Sequence, residues 1–375
     1  MNGVDPVNEV TADRTFTVPK GRAARLLPAL FRAVGFTAEQ VVATLGATDP
    51  VDLVRNTGTY ALLTDHLSDQ LCRTPAGLLT QLFVRNAPVP ADDYRTVLPE
   101  ELRRALYCSG IVTGTADLVR GRFSVTPVAS RYFLSDQLFA FDDAGDVELT
   151  DGVDVVLPPH ASSMALLRYA AEAEPGGPLI DVGSGCGVLG VSLAARHRSL
   201  TALDVNPRAA HLSRVNAELN GVAARVLVED VTTGGFPVPD GSLLLFNTPT
   251  TIRYADGGRS SAAMPPRRAL ESVVGLLPAG RGCHARLFLV VEVPRGVRSA
   301  SDLVASWLTD VPVDRLDVRE IRDSAAFVPA AMIPQGRVGP QCPLLRHGGD
   351  APPLARHLRD REVHEVVPVT VSVSR

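Results

Sequence analysis

Asp181-Val-Gly183-Ser-Gly185-Cys-Gly187 follows a short apolar run, Pro178-Leu-Ile-Asp-Val, and precedes a helix expected over Val188–Arg196. Glycines at alternate positions between a strand and a helix turn the chain tightly and let a ligand approach the backbone. Alternating strands and helices continue downstream. Leu200–Asp204 reads as a second strand, Pro207–Asn220 as a second helix, Arg225–Asp230 as a third strand, Leu243–Phe246 as a fourth and Arg286–Val293 as a fifth. Strands separated by helices predict an α/β fold with a mostly parallel sheet covered on both faces. Val366–Val373 alternates and is expected as a late antiparallel strand. The Pro- and Gly-rich stretch from Ser324 to Glu362 is expected to cover part of the site or to carry structure that its weak periodicity hides.

The acids at the strand ends define the ligand. Asp204 ends the second strand and Glu229-Asp230 the third. Such residues at the carboxyl edge of a parallel sheet suit the ribose hydroxyls and the base of a nucleoside. The glycine spacing is G-x-G-x-G with Asp181 two residues ahead, whereas a dinucleotide loop is G-x-G-x-x-G with no leading acid. A carboxylate there repels a pyrophosphate and attracts a ligand bearing an amino group and a sulfonium. This set of residues resembles the D-x-G-x-G-x-G pattern of class I methyltransferases that use S-adenosylmethionine (SAM). The likeness is close over about Leu157 to Asn247 and looser beyond.

The resemblance implies a Rossmann-like, seven-stranded SAM-methyltransferase sheet and a role for each matching residue. Gly183, Gly185 and Gly187 lie against the methionine and ribose part of the cofactor. Asp181 organises the loop, Asp204 takes the ribose hydroxyls, Asp230 takes the adenine amino group and Val231 sits beside the ring. Cys186 is expected as a small packing thiol.

The fourth strand runs into Phe246-Asn-Thr-Pro-Thr250. This is similar to the N-P-P-Y loop of the subset that methylates amide or exocyclic amino nitrogens. In that subset the Asn side-chain carbonyl accepts a hydrogen bond from the target NH2, and the aromatic ring packs on the acceptor. Asn247 and Pro249 keep their places, Thr248 replaces the first proline and Thr250 the aromatic residue. Tyr254, in a Y-x-D-G-G segment resembling one that follows this loop in a group of such enzymes, can return an aromatic ring. Upstream, Leu157-Pro-Pro-His160-Ala-Ser162-Ser163 leads into the first helix of this half. His160 is a candidate catalytic group or a structural hydrogen-bond partner, and Ser162 a candidate helix N-cap.

The first part of the chain has another texture. Residues 1–18 read as a loose polar arm. Apolar stripes at helical spacing run over Lys20–Val34, Thr37–Leu45, Gly58–Leu67 and Pro75–Arg85, and a further helix starts after Pro99. Asp117–Thr126 is expected as a hairpin across Gly121, with short strands at Tyr132–Asp136 and Val147–Thr150. Helices followed by a hairpin resemble a winged-helix arrangement, here expected to form a substrate lid or a homodimer surface. The expected organisation is a helical and hairpin N-terminal domain over 19–150 and a SAM-binding catalytic domain over 151–375.

Composition narrows the partners. The formal net charge is −4, and the longest basic cluster is Arg267-Arg268, expected in a solvated loop. A nucleic-acid track needs a basic stripe, so nucleic acid is not the expected partner. Five scattered cysteines without a C-x-x-C pair fit a reduced, cytoplasmic compartment and no metal site. No apolar run of membrane-spanning length and no secretory leader is evident. The expected function is N-methylation of a small-molecule or amino-acid-like substrate. Three alternatives stay open: cyclisation of SAM itself with release of methylthioadenosine, as in azetidine-2-carboxylate formation; methylation of RNA or ribosomal protein; and SAM sensing by a winged-helix regulator.

Overall fold

The computed structural model describes residues 22–55, 60, 68–141, 147–150, 154–249, 264–323, 327 and 351–375. The expected arm at 1–18, Tyr254, and most of the helix expected at Gly58–Leu67 lie outside the described residues, as does most of the Pro- and Gly-rich stretch.

In the N-terminal part, helices cover Arg22–Ala33, Ala38–Leu45, Pro50–Arg55, Ser68–Leu71, Pro75–Phe83, Ala91–Val97 and Glu100–Cys108. Local chemistry sets several starts. Thr37 and Thr74 cap their helices by accepting from Gln40 N and Gly77 N, which satisfies backbone donors that have no partner in the first turn. Phe31, Phe36, Phe83 and Tyr132 are fully buried and meet with ring centroids 5.0–6.3 Å apart. Each such side chain contributes about 1.5–3 kcal/mol of burial.

Strands here are short: β1 (Val89–Pro90), β2 (Val112–Gly114), β3 (Leu118–Gly121), β4 (Ser124–Val128), β5 (Arg131–Ser135), β6 (Phe139–Phe141) and β7 (Val147–Leu149). One sheet has the order β1-β3-β2, while β4 pairs with β5 and β6 with β7. The elements follow one another as the Pro75–Phe83 helix, β1, two helices and the β2–β3 hairpin. The hairpin expected across Gly121 is not formed, because β3 and β4 belong to different sheets. The true turn is Thr115–Asp117, where the Thr115 hydroxyl accepts from Asp117 N and Leu118 N. Gly121 is required for close packing instead: a Cβ there would lie 2.6 Å from the Leu82 carbonyl oxygen.

The rest of the chain builds a seven-stranded sheet from β8 (Gly176–Val182), β9 (His197–Asp204), β10 (Arg225–Val228), β11 (Leu243–Asn247), β12 (His284–Pro294), β13 (Arg315–Glu320) and β14 (Val363–Ser374). The spatial order is β10-β9-β8-β11-β12-β14-β13. All neighbours are parallel except β14, which runs antiparallel to β12 and β13. This is the Rossmann-like sheet that the sequence implies, with the late antiparallel strand in place.

Period-two alternation divides the side chains between two faces. Leu243 and Leu245 join the core with the Ala161–Ala170, Val188–Leu193 and Pro207–Leu219 helices. Leu244 and Phe246 face the Pro266–Leu276 and Ala300–Trp307 helices. Arg267 and Arg268 therefore sit in a helix, not a loop, and Arg267 pairs with Glu271 at 2.7 Å. A helix at Ala351–Asp360 lies within the stretch whose periodicity was weak. The first core also takes in Leu27, Phe31 and Tyr132, so one apolar cluster joins the N-terminal part to the sheet. Among the described residues no single helix is long and apolar enough to cross a membrane.

Candidate active site at the carboxyl edge of the sheet

β8 lies between β9 and β11, and all three run in the same direction. The chain leaves β8 toward one face of the sheet and β11 toward the other, which opens a crevice at their carboxyl ends. The glycine loop, Asp204, Asp230 and Asn247 all fall on this edge.

The loop is shaped by Asp181, which is 1% exposed. Its Oδ2 accepts from Gly190 N at 2.8 Å, and its Oδ1 is buried with no partner among the described residues. Burial pushes the carboxyl up to about 7, with the Gly190 donor opposing and the nearby Asp204 adding to the rise. Gly187 begins the next helix with φ +76, and a Cβ there would meet the Ser213 hydroxyl at 2.7 Å, so only glycine fits. Gly183 lies over the Phe246 ring, whereas a Cβ built on Gly185 meets nothing within 4 Å among the described residues. Cys186 is buried, and burial raises its thiol pKa to about 12.

Asp204 Oδ2 accepts from Gly185 N and Oδ1 from Asn206 N, both at 2.9 Å. Its pKa is raised by burial, with the two backbone donors opposing. Asn206 in turn caps the next helix by accepting from Arg208 N, with Pro207 in the first turn. Asp230 Oδ1 accepts from both Thr232 N and the Thr232 hydroxyl, which lowers its pKa. Val231 is buried behind it, and Val205, which sequence reasoning did not single out, is 58% exposed beside Asp204.

At β11, Asn247 pairs with Phe288 of β12. Thr248 continues that contact: its hydroxyl donates to Phe288 O at 2.8 Å and its N–H to the same oxygen at 3.3 Å. The threonine that replaces a proline thus anchors the loop to the sheet. Pro249 is exposed. Asn247 Nδ2 donates to Ser163 Oγ at 3.2 Å, and Asn247 Oδ1 is buried with no partner among the described residues.

Ser163 was missed by sequence reasoning. It sits in the first turn of the Ala161–Ala170 helix, whose N-cap is His160. Ser162 is therefore not the cap, because the helix begins two residues earlier than that role requires. Both Ser162 Oγ and Ser163 Oγ approach His160 Nδ1, at 3.0 and 3.2 Å. His160 is two hydrogen bonds from Asn247. Burial lowers its pKa, which favours the neutral ring.

Residues 160–249, from His160 through Pro249, match the model of the methyltransferase small domain family. The chain carries a class I SAM-dependent methyltransferase domain. An uncharacterized Bacillus subtilis protein, YbxB, is 29% identical over 157 residues, which is 40% of this chain and 70% of that protein. A ribosomal protein L11 methyltransferase of Pelotomaculum thermopropionicum is 37% identical over 84 residues, 22% of this chain and 27% of that enzyme. The methyltransferase domain is thus shared, while most of the L11 enzyme has no counterpart in the match. A solved structure of geranyl diphosphate methyltransferase with SAM overlaps 57% of this chain and 84% of its own, at 15% identity and a TM-score of 0.37.

The cofactor of the methyltransferase domain is SAM, and the crevice fits it. Gly185 offers an open backbone face, and Asp181 Oδ1, Ser184 Oγ and Asn247 Oδ1 are buried polar atoms lacking partners among the described residues. Buried polar atoms without partners are costly and mark places where a ligand supplies them.

Proposed function

We propose that this enzyme methylates a nitrogen that carries N–H, on a small-molecule or amino-acid-like acceptor. The observation that carries the reading is the buried Asn247 Oδ1 at the end of β11, which has no partner among the described residues. An oxygen held there accepts a hydrogen bond from the acceptor's N–H and turns the nitrogen lone pair toward the methyl donor. SAM supplies an already activated methyl group, so orientation is the main contribution of the protein. Asp204 takes the ribose hydroxyls with the lone pairs that Gly185 and Asn206 leave open. Asp230 receives the adenine amino group, with Val205 and Val231 as apolar walls. Asp181 faces the cationic end of the cofactor. Asn247 cannot take up a proton, so the nitrogen loses its proton to solvent after transfer.

The small acceptor is supported by the net charge of −4 and by the missing ring at Thr250, which removes a stacking surface for a planar base. The test is labelling with [methyl-14C]SAM. The protein is incubated with SAM alone, and then with the small-molecule, RNA and ribosomal-protein fractions of the source cell. Label on nitrogen of a small molecule, with S-adenosylhomocysteine as co-product, is the expected result. Label in RNA or ribosomal protein overturns the acceptor class. Methylthioadenosine released from SAM alone overturns methyl transfer.

A further inference from the structure

We propose that Ser163 and His160 are positioning residues that fix which end of the Asn247 amide faces the acceptor, and so restrict the enzyme to nitrogens bearing N–H. This rests on the N-methylation reading above and adds a device to it. An asparagine amide has a donor end and an acceptor end of nearly the same shape, and turning it over reverses what the pocket recognises. Some neighbour must therefore decide the orientation.

Ser163 makes that decision. Its side chain is buried, and its hydroxyl has one hydrogen to give and lone pairs to receive. It accepts from Asn247 Nδ2 at 3.2 Å, so its own hydrogen is free for His160 Nδ1, also 3.2 Å away. That bond requires Nδ1 to be bare, which in a neutral ring places the hydrogen on Nε2. The reverse arrangement is self-consistent as well. With a hydrogen on Nδ1, the imidazole donates to Ser163, the Ser163 hydrogen turns to Asn247, and the amide rotates to present NH2 to the pocket. Such a pocket would select an acceptor without N–H. The histidine tautomer thus sets the specificity through two hydrogen bonds, without touching the acceptor.

Ser162 Oγ also reaches His160 Nδ1, at 3.0 Å. It shares the same lone pair but has no bond to Asn247, so it supports the bare Nδ1 without carrying the signal onward.

The test uses the full chain labelled with 15N at histidine and asparagine, free and saturated with S-adenosylhomocysteine. The expected spectra show His160 as the Nε2–H tautomer and the Asn247 side-chain amide protected from exchange. In Ser163→Ala the Asn247 amide loses that protection, while calorimetry gives an unchanged S-adenosylhomocysteine affinity. Ser163→Thr, which keeps the hydroxyl, restores the protection. Propionamide, used as an N–H-bearing probe, shifts the Asn247 amide in the wild-type chain, and N,N-dimethylpropionamide does not. An Nδ1–H tautomer overturns the proposal, as does a Ser163→Ala spectrum identical to wild type. Equal shifts by both probes, or none by either, overturn the specificity it assigns. These readouts do not depend on turnover. If label from SAM appeared on oxygen or carbon while the tautomer and the protection were as expected, the N-methylation reading and the restriction to nitrogen would fall, and the control of the Asn247 amide by Ser163 and His160 would stand.

Discussion

Asn216 Nδ2 donates to the carbonyl of Cys186 in the glycine loop and to that of Leu134 in β5, each at 2.8 Å. Its Oδ1 accepts from Leu134 N at 2.8 Å, and the residue is fully buried. One turn later Asn220 repeats the pattern on Tyr132, accepting from its N–H and donating to its carbonyl. Two amide side chains on one helix face therefore meet the edge of β5 much as a neighbouring strand would. They bind the N-terminal part to the cofactor loop.

Asn216→Leu keeps volume and removes three of these bonds at once. The stranded groups are Leu134 N, Leu134 O and Cys186 O. A buried unpaired group costs about 1–3 kcal/mol, so urea unfolding should show a loss of roughly 4 kcal/mol if the groups behave independently. SAM affinity should fall as well, since Cys186 belongs to the loop. A stability change below roughly 1 kcal/mol would mean that the seam is held by the apolar core and not by these amides.

Asn247→Ala and Asp204→Ala separate orientation from cofactor binding. Asn247→Ala should leave SAM affinity within about twofold and lower kcat by about a hundredfold, the usual effect of deleting one positioning group in a reaction of this kind. Asp204→Ala should weaken SAM by about tenfold to a hundredfold, because charged hydrogen bonds contribute about 1.5–3 kcal/mol. It also frees Gly185 N, which Asp204 Oδ2 now holds. Calorimetry and turnover on both variants check the division. An Asn247→Ala enzyme with normal turnover would end the clamp idea.

What was readable in the sequence was local. Asp181 through Gly187 declared the cofactor loop because the glycine positions and the flanking strand and helix occupy adjacent residues. The alternation of Val366–Val373 declared β14 for the same reason. β13 was invisible: Arg-Leu-Asp-Val-Arg-Glu sits at the sheet edge, where most of its side chains are only half-buried and charge is tolerated. Ser163 and Asn216 were missed because their partners are distant in the chain. Ser163 meets Asn247 across 84 residues and Asn216 meets Leu134 across 82. A polar residue on a helix carries no mark in the sequence of a backbone edge that the fold later brings to it. The misplaced hairpin has another cause: Gly121 looked like a turn and is a packing contact, while the turn was made by a threonine hydroxyl.

Thr248 offers a test of why the loop departs from two consecutive prolines. Thr248→Val preserves shape and deletes the hydroxyl bond to Phe288 O. The expected stability loss is about 1 kcal/mol. Thr248→Pro also deletes the N–H bond and should cost roughly twice that. SAM affinity should be unchanged in both, while kcat should fall more in Thr248→Pro, because Asn247 immediately precedes it. If Thr248→Pro matched wild type in stability, the anchoring role assigned to Thr248 would be wrong.

Asp181 predicts a proton linkage between the cofactor and the fold. Its folded pKa is raised to about 7, chiefly by burial, well above the usual carboxylate range. The folded state therefore keeps a proton that the unfolded state has already lost. The contribution of this group to stability is greatest below the unfolded value and declines as pH rises through about 7. A cation brought against Asp181 favours its carboxylate and lowers that pKa. SAM binding should then release up to one proton near pH 6 and almost none at about pH 8.5. SAM affinity should tighten as pH rises across the same window, and Asp204, also raised by burial, acts in the same direction. Calorimetry in buffers of different ionisation enthalpy measures the released proton directly. Asp181→Asn keeps an acceptor for Gly190 N and should flatten most of the pH dependence. Proton release that persists unchanged in Asp181→Asn would assign the linkage to Asp204 instead.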